Sequence, residues 1–108
     1  MQYDYIVIGS GSGGAATAGR LSEDRGMSVL LLEAGGKDRH PFIHIPVLFP
    51  HLLTNPNTTW LRKSEPVPGL NGRPMFFPSG KVLGGSSSIN GMLYIRGQAE
   101  DYDGWRDA

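Results

Sequence analysis

The chain has 108 residues, with ten acidic and ten basic side chains that cancel at neutral pH. That length suits one modest domain, and the balanced charge excludes the basic footprint of a nucleic-acid binder or of a protein held electrostatically on an anionic membrane. There is no cysteine, which removes disulfides, thiolate metal sites and cysteine nucleophiles together and fits a reducing compartment.

Glycine is abundant, 16 of 108 residues, about twice the usual share. No low-complexity repeat accounts for it, so glycines are expected where backbone comes close to something. The N-terminus, Met1 to Gly11, has no basic leader region. No apolar run is long enough to cross a bilayer. The expected location is the cytoplasm, with any membrane association left to chain outside this sequence.

The first predicted element is a strand, Tyr5-Ile6-Val7-Ile8, rich in β-branched residues and without polar alternation. Such a run is expected of a parallel strand buried on both faces. A helix is predicted over Ala15–Asp24, with Ala18 and Leu21 on one face and Gly26 closing it. A second buried strand follows at Ser28–Leu32, completing a β-α-β unit of about thirty residues.

Between strand and helix lies Gly9-Ser10-Gly11-Ser12-Gly13-Gly14, a G-x-G-x-x-G pattern at 9, 11 and 14. Alone that pattern is weak. Here it follows a strand, opens a helix, and has an acid, Glu33, nineteen residues beyond Gly14 at the end of the second strand. That is the dinucleotide-binding fingerprint. Gly9 permits the tight turn, Gly11 lets a pyrophosphate approach the backbone, and Gly14 lets the helix lie close to the strand. The helix N-terminus offers free N–H groups and a positive dipole end to phosphate. Glu33 can accept from a ribose hydroxyl and would repel a 2′-phosphate. The bland readings are a glycine turn that binds nothing and a solvated surface acid.

All eight prolines fall between Pro41 and Pro78, so Gly35 to Ser79 is read as an irregular excursion. Pro68-Gly69 and Asn71-Gly72 are turn signals, across which Glu65–Val67 and Arg73–Phe77 are expected to pair as a hairpin. His40, His44 and His51 lie close in sequence, but without cysteine or ordered carboxylate partners they read as loop histidines. Trp60 and Phe76-Phe77 read as core packing rather than a substrate entrance.

The last segment is Gly80-Lys81-Val82-Leu83-Gly84-Gly85-Ser86-Ser87-Ser88-Ile89-Asn90-Gly91-Met92-Leu93-Tyr94-Ile95-Arg96-Gly97. Its apolar flanks argue against a flexible Gly/Ser linker. A short helix is expected over Ser86–Leu93, capped by Ser86 or Ser87. Lys81 and Arg96 read equally as phosphate contacts or as solvated charges. Glu100, Asp101, Asp103 and Asp107 read as an exposed face.

This segment, with Asp101-Tyr102 and Trp105 after it and the openings Asp4-Tyr5-Ile6-Val7-Ile8-Gly9 and Leu32-Glu33-Ala34-Gly35-Gly36, resembles the glucose-methanol-choline (GMC) oxidoreductases. The Ser-Ile-Asn-Gly-Met and Tyr-Ile-Arg-Gly wording is most similar to the choline dehydrogenase and acceptor-dependent alcohol dehydrogenase branch. The resemblance implies an α/β fold: a partial FAD-binding Rossmann-like domain with a proline-rich excursion, incomplete without downstream chain. Its parts are 1–36 as the fingerprint, 37–79 as the excursion and 80–108 as a second FAD-contacting segment. The resemblance also implies that Gly84, Gly85 and Ser86 pass near the FAD pyrophosphate and that Asn90 and Gly91 lie beside the flavin. Ser12, Gly13, Ala34, Val82 and Met92 complete the expected cofactor-binding set.

Some members of the family hold FAD through a histidine just before the Asn. Here that position is Ile89, so the FAD is expected to be non-covalent. The family's hydride passes from an alcohol carbon to flavin N5, and its proton-accepting histidine lies far downstream, so no catalytic residue and no metal ligand is expected in this chain. The expected partners are a small-molecule alcohol and an electron acceptor (a quinone, another acceptor or O2), without nucleic acid or a transmembrane segment. The alternatives are a hydroxynitrile-lyase-like member that keeps FAD for structure, a non-catalytic dinucleotide-binding module, and an NAD-dependent enzyme.

Overall fold

The computed structural model describes residues 2–108. Strand β1 (Tyr5–Ile8), helix α1 (Ser12–Leu21) and strand β2 (Val29–Leu32) form the β-α-β unit, with β1 and β2 parallel and Tyr5 opposite Val29, Ile8 opposite Leu32. The register is pinned at its start by Asp4, whose carboxylate accepts from Ser28 N and Oγ at 2.8 and 2.7 Å. Helix α1 begins and ends three residues earlier than expected. Ser22 Oγ turns back to Gly19 O, and Asp24 accepts from Gly26 N, so Gly26 belongs to the turn after the helix.

The expectation that both strands are buried on two faces does not hold within this chain. Ile8 is 84 % exposed, and Ile6 and Leu32 are also open. A two-stranded sheet covered by one short helix has no second layer to bury them.

The middle is more regular than its prolines suggest. Pro41, Pro46 and Pro68 each start a 3-10 turn, and Pro50 lies in the first turn of helix α2 (Phe49–Leu53). These are positions where a missing N–H costs nothing. The hairpin is larger than expected and differently placed. Strand β3 (Thr59–Lys63) pairs antiparallel with β4 (Phe76–Gly80), while the anticipated pairing survives as a single bridge, Val67 to Arg73. Asn71 and Gly72 supply the left-handed backbone of the turn.

The Ser86–Leu93 helix is also corrected. Only a 3-10 turn forms, over Gly85–Ser88. Ser87 Oγ, Ser88 Oγ and Asn90 Nδ2 bond back to the carbonyls of Gly84, Leu83 and Ser87, competing with a helical ladder. Ser86 Oγ caps nothing and accepts from Gly80 N. Helix α3 (Ala99–Asp107), expected only as an exposed acidic face, starts with a reciprocal cap between Gln98 and Asp101.

The small core lies at the junction of α2 and the last segment, where Leu52, Val82 and Ile89 are buried against Phe42, Ile43 and Leu53. A parallel bridge from Gly36 to Val82 and a bond from Leu83 N to Gly36 O tie that segment to the end of the β-α-β unit. Among the described residues no helix is long and apolar enough to cross a membrane.

Candidate functional site

Parallel strands deliver their following loops to the same edge of a sheet. After β1 come Gly9 to Gly11, after β2 come Glu33 and Ala34, and Gly9 N donates to Leu32 O at 2.7 Å. The 3-10 turn at Gly85 and Ser86 closes one side of this edge, and Trp60, Arg62 and Gly80 of the hairpin close another. Together they enclose a cleft of about 630 Å³, within the size range of small-molecule and cofactor sites.

Two glycines make this approach possible. A Cβ at Gly14 would lie 1.9 Å from Gly9 O, so the first turn of α1 packs directly on the loop before it. Gly85 has φ +57°, and a Cβ there would lie 2.8 Å from Gly11 Cα. The two loops therefore meet backbone to backbone. No side chain caps α1 and no acid stands in its first turn, so its leading N–H groups remain free of intrahelical partners at the rim formed by Gly9 and Gly11.

Glu33 carries the negative charge of the cleft. Its Oε2 accepts from Ser10 N at 2.9 Å and Ser10 Oγ at 2.7 Å, and its Oε1 accepts from Gly35 N at 2.9 Å. Partial burial pushes its carboxyl up, but the bonds from Ser10 and Gly35 outweigh that and hold it below its ordinary value. Arg62 lies on the same strand face as Trp60, two residues away, and its guanidinium carbon is 5.8 Å from the Trp60 ring centre. Lys81 Nζ lies 4.5 Å from that ring centre, so the hairpin wall is aromatic and cationic.

Of the residues expected to bind a cofactor, Gly9, Gly11, Glu33, Ala34, Gly85 and Ser86 line this cleft. Ser12, Gly13 and Gly14 form the first turn of α1 behind it, and Gly84 is held to Ser10 Oγ through its amide at 3.1 Å. Val82 lies elsewhere, in the core. Asn90 and Met92 line a separate pocket of about 240 Å³ with Phe49, His44 and Asp38, and Gly91 packs against the Phe49 ring.

Trp60 is in the cleft wall rather than in the core, and Ser10 and Arg62 were not singled out by sequence reasoning. A period-two reading of Thr59 to Lys63 would have put Trp60 and Arg62 on one face. The histidines are engaged locally: His40 Nδ1 with Phe42 N, His44 Nε2 with Asp38 O, and the His51 ring beside Phe42.

The family model described as GMC oxidoreductase matches residues 3–108. An oxygen-dependent choline dehydrogenase of Sinorhizobium fredii is 55 % identical over 105 residues, covering 97 % of this chain and 19 % of the relative. An alcohol dehydrogenase [acceptor] of Pseudomonas putida is 49 % identical over 106 residues, covering 98 % of this chain and 19 % of the relative. Among solved structures, pyridoxine 4-oxidase from Mesorbium loti superposes with a TM-score of 0.84 at 37 % identity, covering 99 % of this chain and 21 % of that one. The chain thus spans about one-fifth of the length of the curated relatives it matches.

Proposed function

The chain belongs to the GMC oxidoreductase family, and from that premise we propose that it forms the FAD-binding N-terminal portion of a flavoenzyme that oxidises an alcohol to a carbonyl compound. The observation that carries this reading is the cleft where the Gly9–Gly14 loop and the Gly84–Ser86 turn meet backbone to backbone, with Glu33 in its wall. A side chain at Gly85 would strike the Gly11 backbone and push the two loops apart, and one at Gly11 would stand at the rim that a diphosphate must approach. A Rossmann-like reading of the β-α-β unit puts the pyrophosphate at the N-terminus of α1 and a ribose hydroxyl at Glu33. In this reading residues 1–36 and 80–108 hold the cofactor, and 37–79 contribute the hairpin wall of Trp60 and Arg62.

Bound flavin supplies the hydride acceptor, at N5. This chain's residues would bind and orient: the glycine loops would take the phosphates and Ser12 and Gly13 would offer first-turn amides, while Asn90, Gly91 and Met92, which lie outside the cleft beside Phe49, would contact the ring system. Ile89 is buried against Leu52 and Val82, which supports a non-covalent attachment. No proton acceptor for the substrate hydroxyl is assigned here. The choline and alcohol dehydrogenase relatives support a small alcohol as the donor, with oxygen or another acceptor as the partner.

The test is to purify the full-length protein, precipitate it with acid, and mix the native protein anaerobically with choline and simple alcohols. Flavin in the supernatant and bleaching of its visible absorption are the expected results. Flavin that stays with the pellet would refute the non-covalent attachment. A flavin spectrum unchanged by every alcohol would refute the oxidation.

A further inference from the structure

Ser10 has no role in the reading above, yet its hydroxyl is fully engaged. The residue is 2 % exposed. Its Oγ donates to Glu33 Oε2 at 2.7 Å and accepts from Gly84 N at 3.1 Å. A hydroxyl has one proton to give, so these two bonds fix its direction. The Ser10 amide donates to the same Oε2, and Gly35 N donates to Oε1. A carboxylate offers about four acceptor directions. Ser10 thus places two donors on Oε2, while the backbone amides of Gly35 and Ala34 act on the same carboxylate.

We propose that Ser10 is a positioning residue for the cofactor site: its hydroxyl ties the Glu33 carboxylate to the Gly84 turn and occupies Oε2, so that a ribose hydroxyl is met through Oε1. The inference rests on the FAD reading and deepens it. Ser10 itself touches no ligand. It joins two loops whose linked residues stand 74 positions apart in the chain, so one side chain connects the acid on one side of the cleft to the glycine turn on the other.

The experiment is an FAD titration of the full-length protein, freed of flavin, across pH, for wild type, Ser10→Ala, Glu33→Gln and the double variant. Ser10→Ala is expected to weaken binding about tenfold at neutral pH. It should also move the acid limb of binding to higher pH, because Glu33 loses a donor to its charged form. In the Glu33→Gln background, where position 33 has no charge to lose, the serine change should move no acid limb. The other charged side chains of the cleft wall are Arg62 and Lys81, and both are unchanged in every variant, so the comparison isolates Glu33.

A purely structural serine would lower affinity and leave the acid limb in place. Ser10→Cys keeps the size with a weaker donor; it should fall between wild type and Ser10→Ala, and it carries the test if the alanine variant is not recovered folded. An unmoved acid limb in Ser10→Ala, or the same shift persisting in the Glu33→Gln background, would overturn the proposal while leaving the FAD reading intact. A wild-type protein that takes up no FAD would overturn both.

Discussion

Gly11 and Gly14 stand three positions apart and face different constraints. Gly11 has φ −67° and ψ −175°, extended backbone open to any residue. A Cβ there would sit 4.0 Å from Gly85 Cα, an ordinary contact. Gly11→Ala should therefore fold with unchanged apoprotein stability and lose its flavin; full flavin content in the purified variant would sink the assignment of this loop. Gly14→Ala drives a methyl into Gly9 O, which neither backbone can yield, and should cost about 3 kcal/mol in urea unfolding of the full-length protein. Glu33 sets the pH dependence of the same loop. Its folded pKa is lowered, so what it contributes is present above its unfolded value and is lost as pH falls through the folded one. FAD affinity should hold level from neutral pH into the ordinary glutamate range and decline only below it. The motif spacing made Glu33 legible; Ser10 was not, because nothing in a sequence tells a buried, doubly bonded serine from an exposed one.

At the scale of elements, the hairpin matters most. Thr59 begins β3 fully buried, and its Oγ1 donates to Leu52 O at 2.6 Å; Thr58 Oγ1 reaches the same carbonyl at 3.3 Å. These bonds fasten β3 to the end of α2 and so set where Trp60 and Arg62 stand in the cleft. Thr59→Val keeps the shape and removes the donor. It should destabilise the full-length protein by about 1 kcal/mol, measured by denaturant titration, and lower FAD affinity through the displaced wall. Equal stability and affinity would show that the fastening is idle. Pro78 obscured β4 in the sequence, yet it is accommodated opposite Leu61 in a two-stranded ladder, where an outer edge asks for no donor. The Ser86–Leu93 helix failed for the converse reason: serine and asparagine side chains satisfied carbonyls that a helix would have used.

The whole molecule measures 52 × 40 × 27 Å with a radius of gyration of 17.7 Å, against about 13 Å for a compact domain of this length. Its buried apolar side chains among the described residues are Ala18, Leu52, Val82 and Ile89, whereas Leu93, Tyr94 and Ile95 lie outside any helix or strand at 83 to 90 % exposure. So little burial cannot offset the entropy of ordering a chain of this size. The isolated 108-residue polypeptide should accordingly melt without a cooperative transition and bind the dye ANS. A sharp thermal transition with no dye binding would contradict this.

By itself the sequence determined the local items: the β1-loop-α1-β2 order, the glycine spacing, the acid after the second strand, and the family to which the paired motifs point. These depend on neighbours within a few residues, or on spacings that a short βαβ unit enforces. Only the tertiary structure decided that Trp60 and Arg62 wall the cleft, that Val82 and Ile89 serve the core, and that Ser10 joins Glu33 to Gly84. Each of those depends on segments distant in the chain meeting in space, and local propensity carries no record of which distant partner a side chain will find.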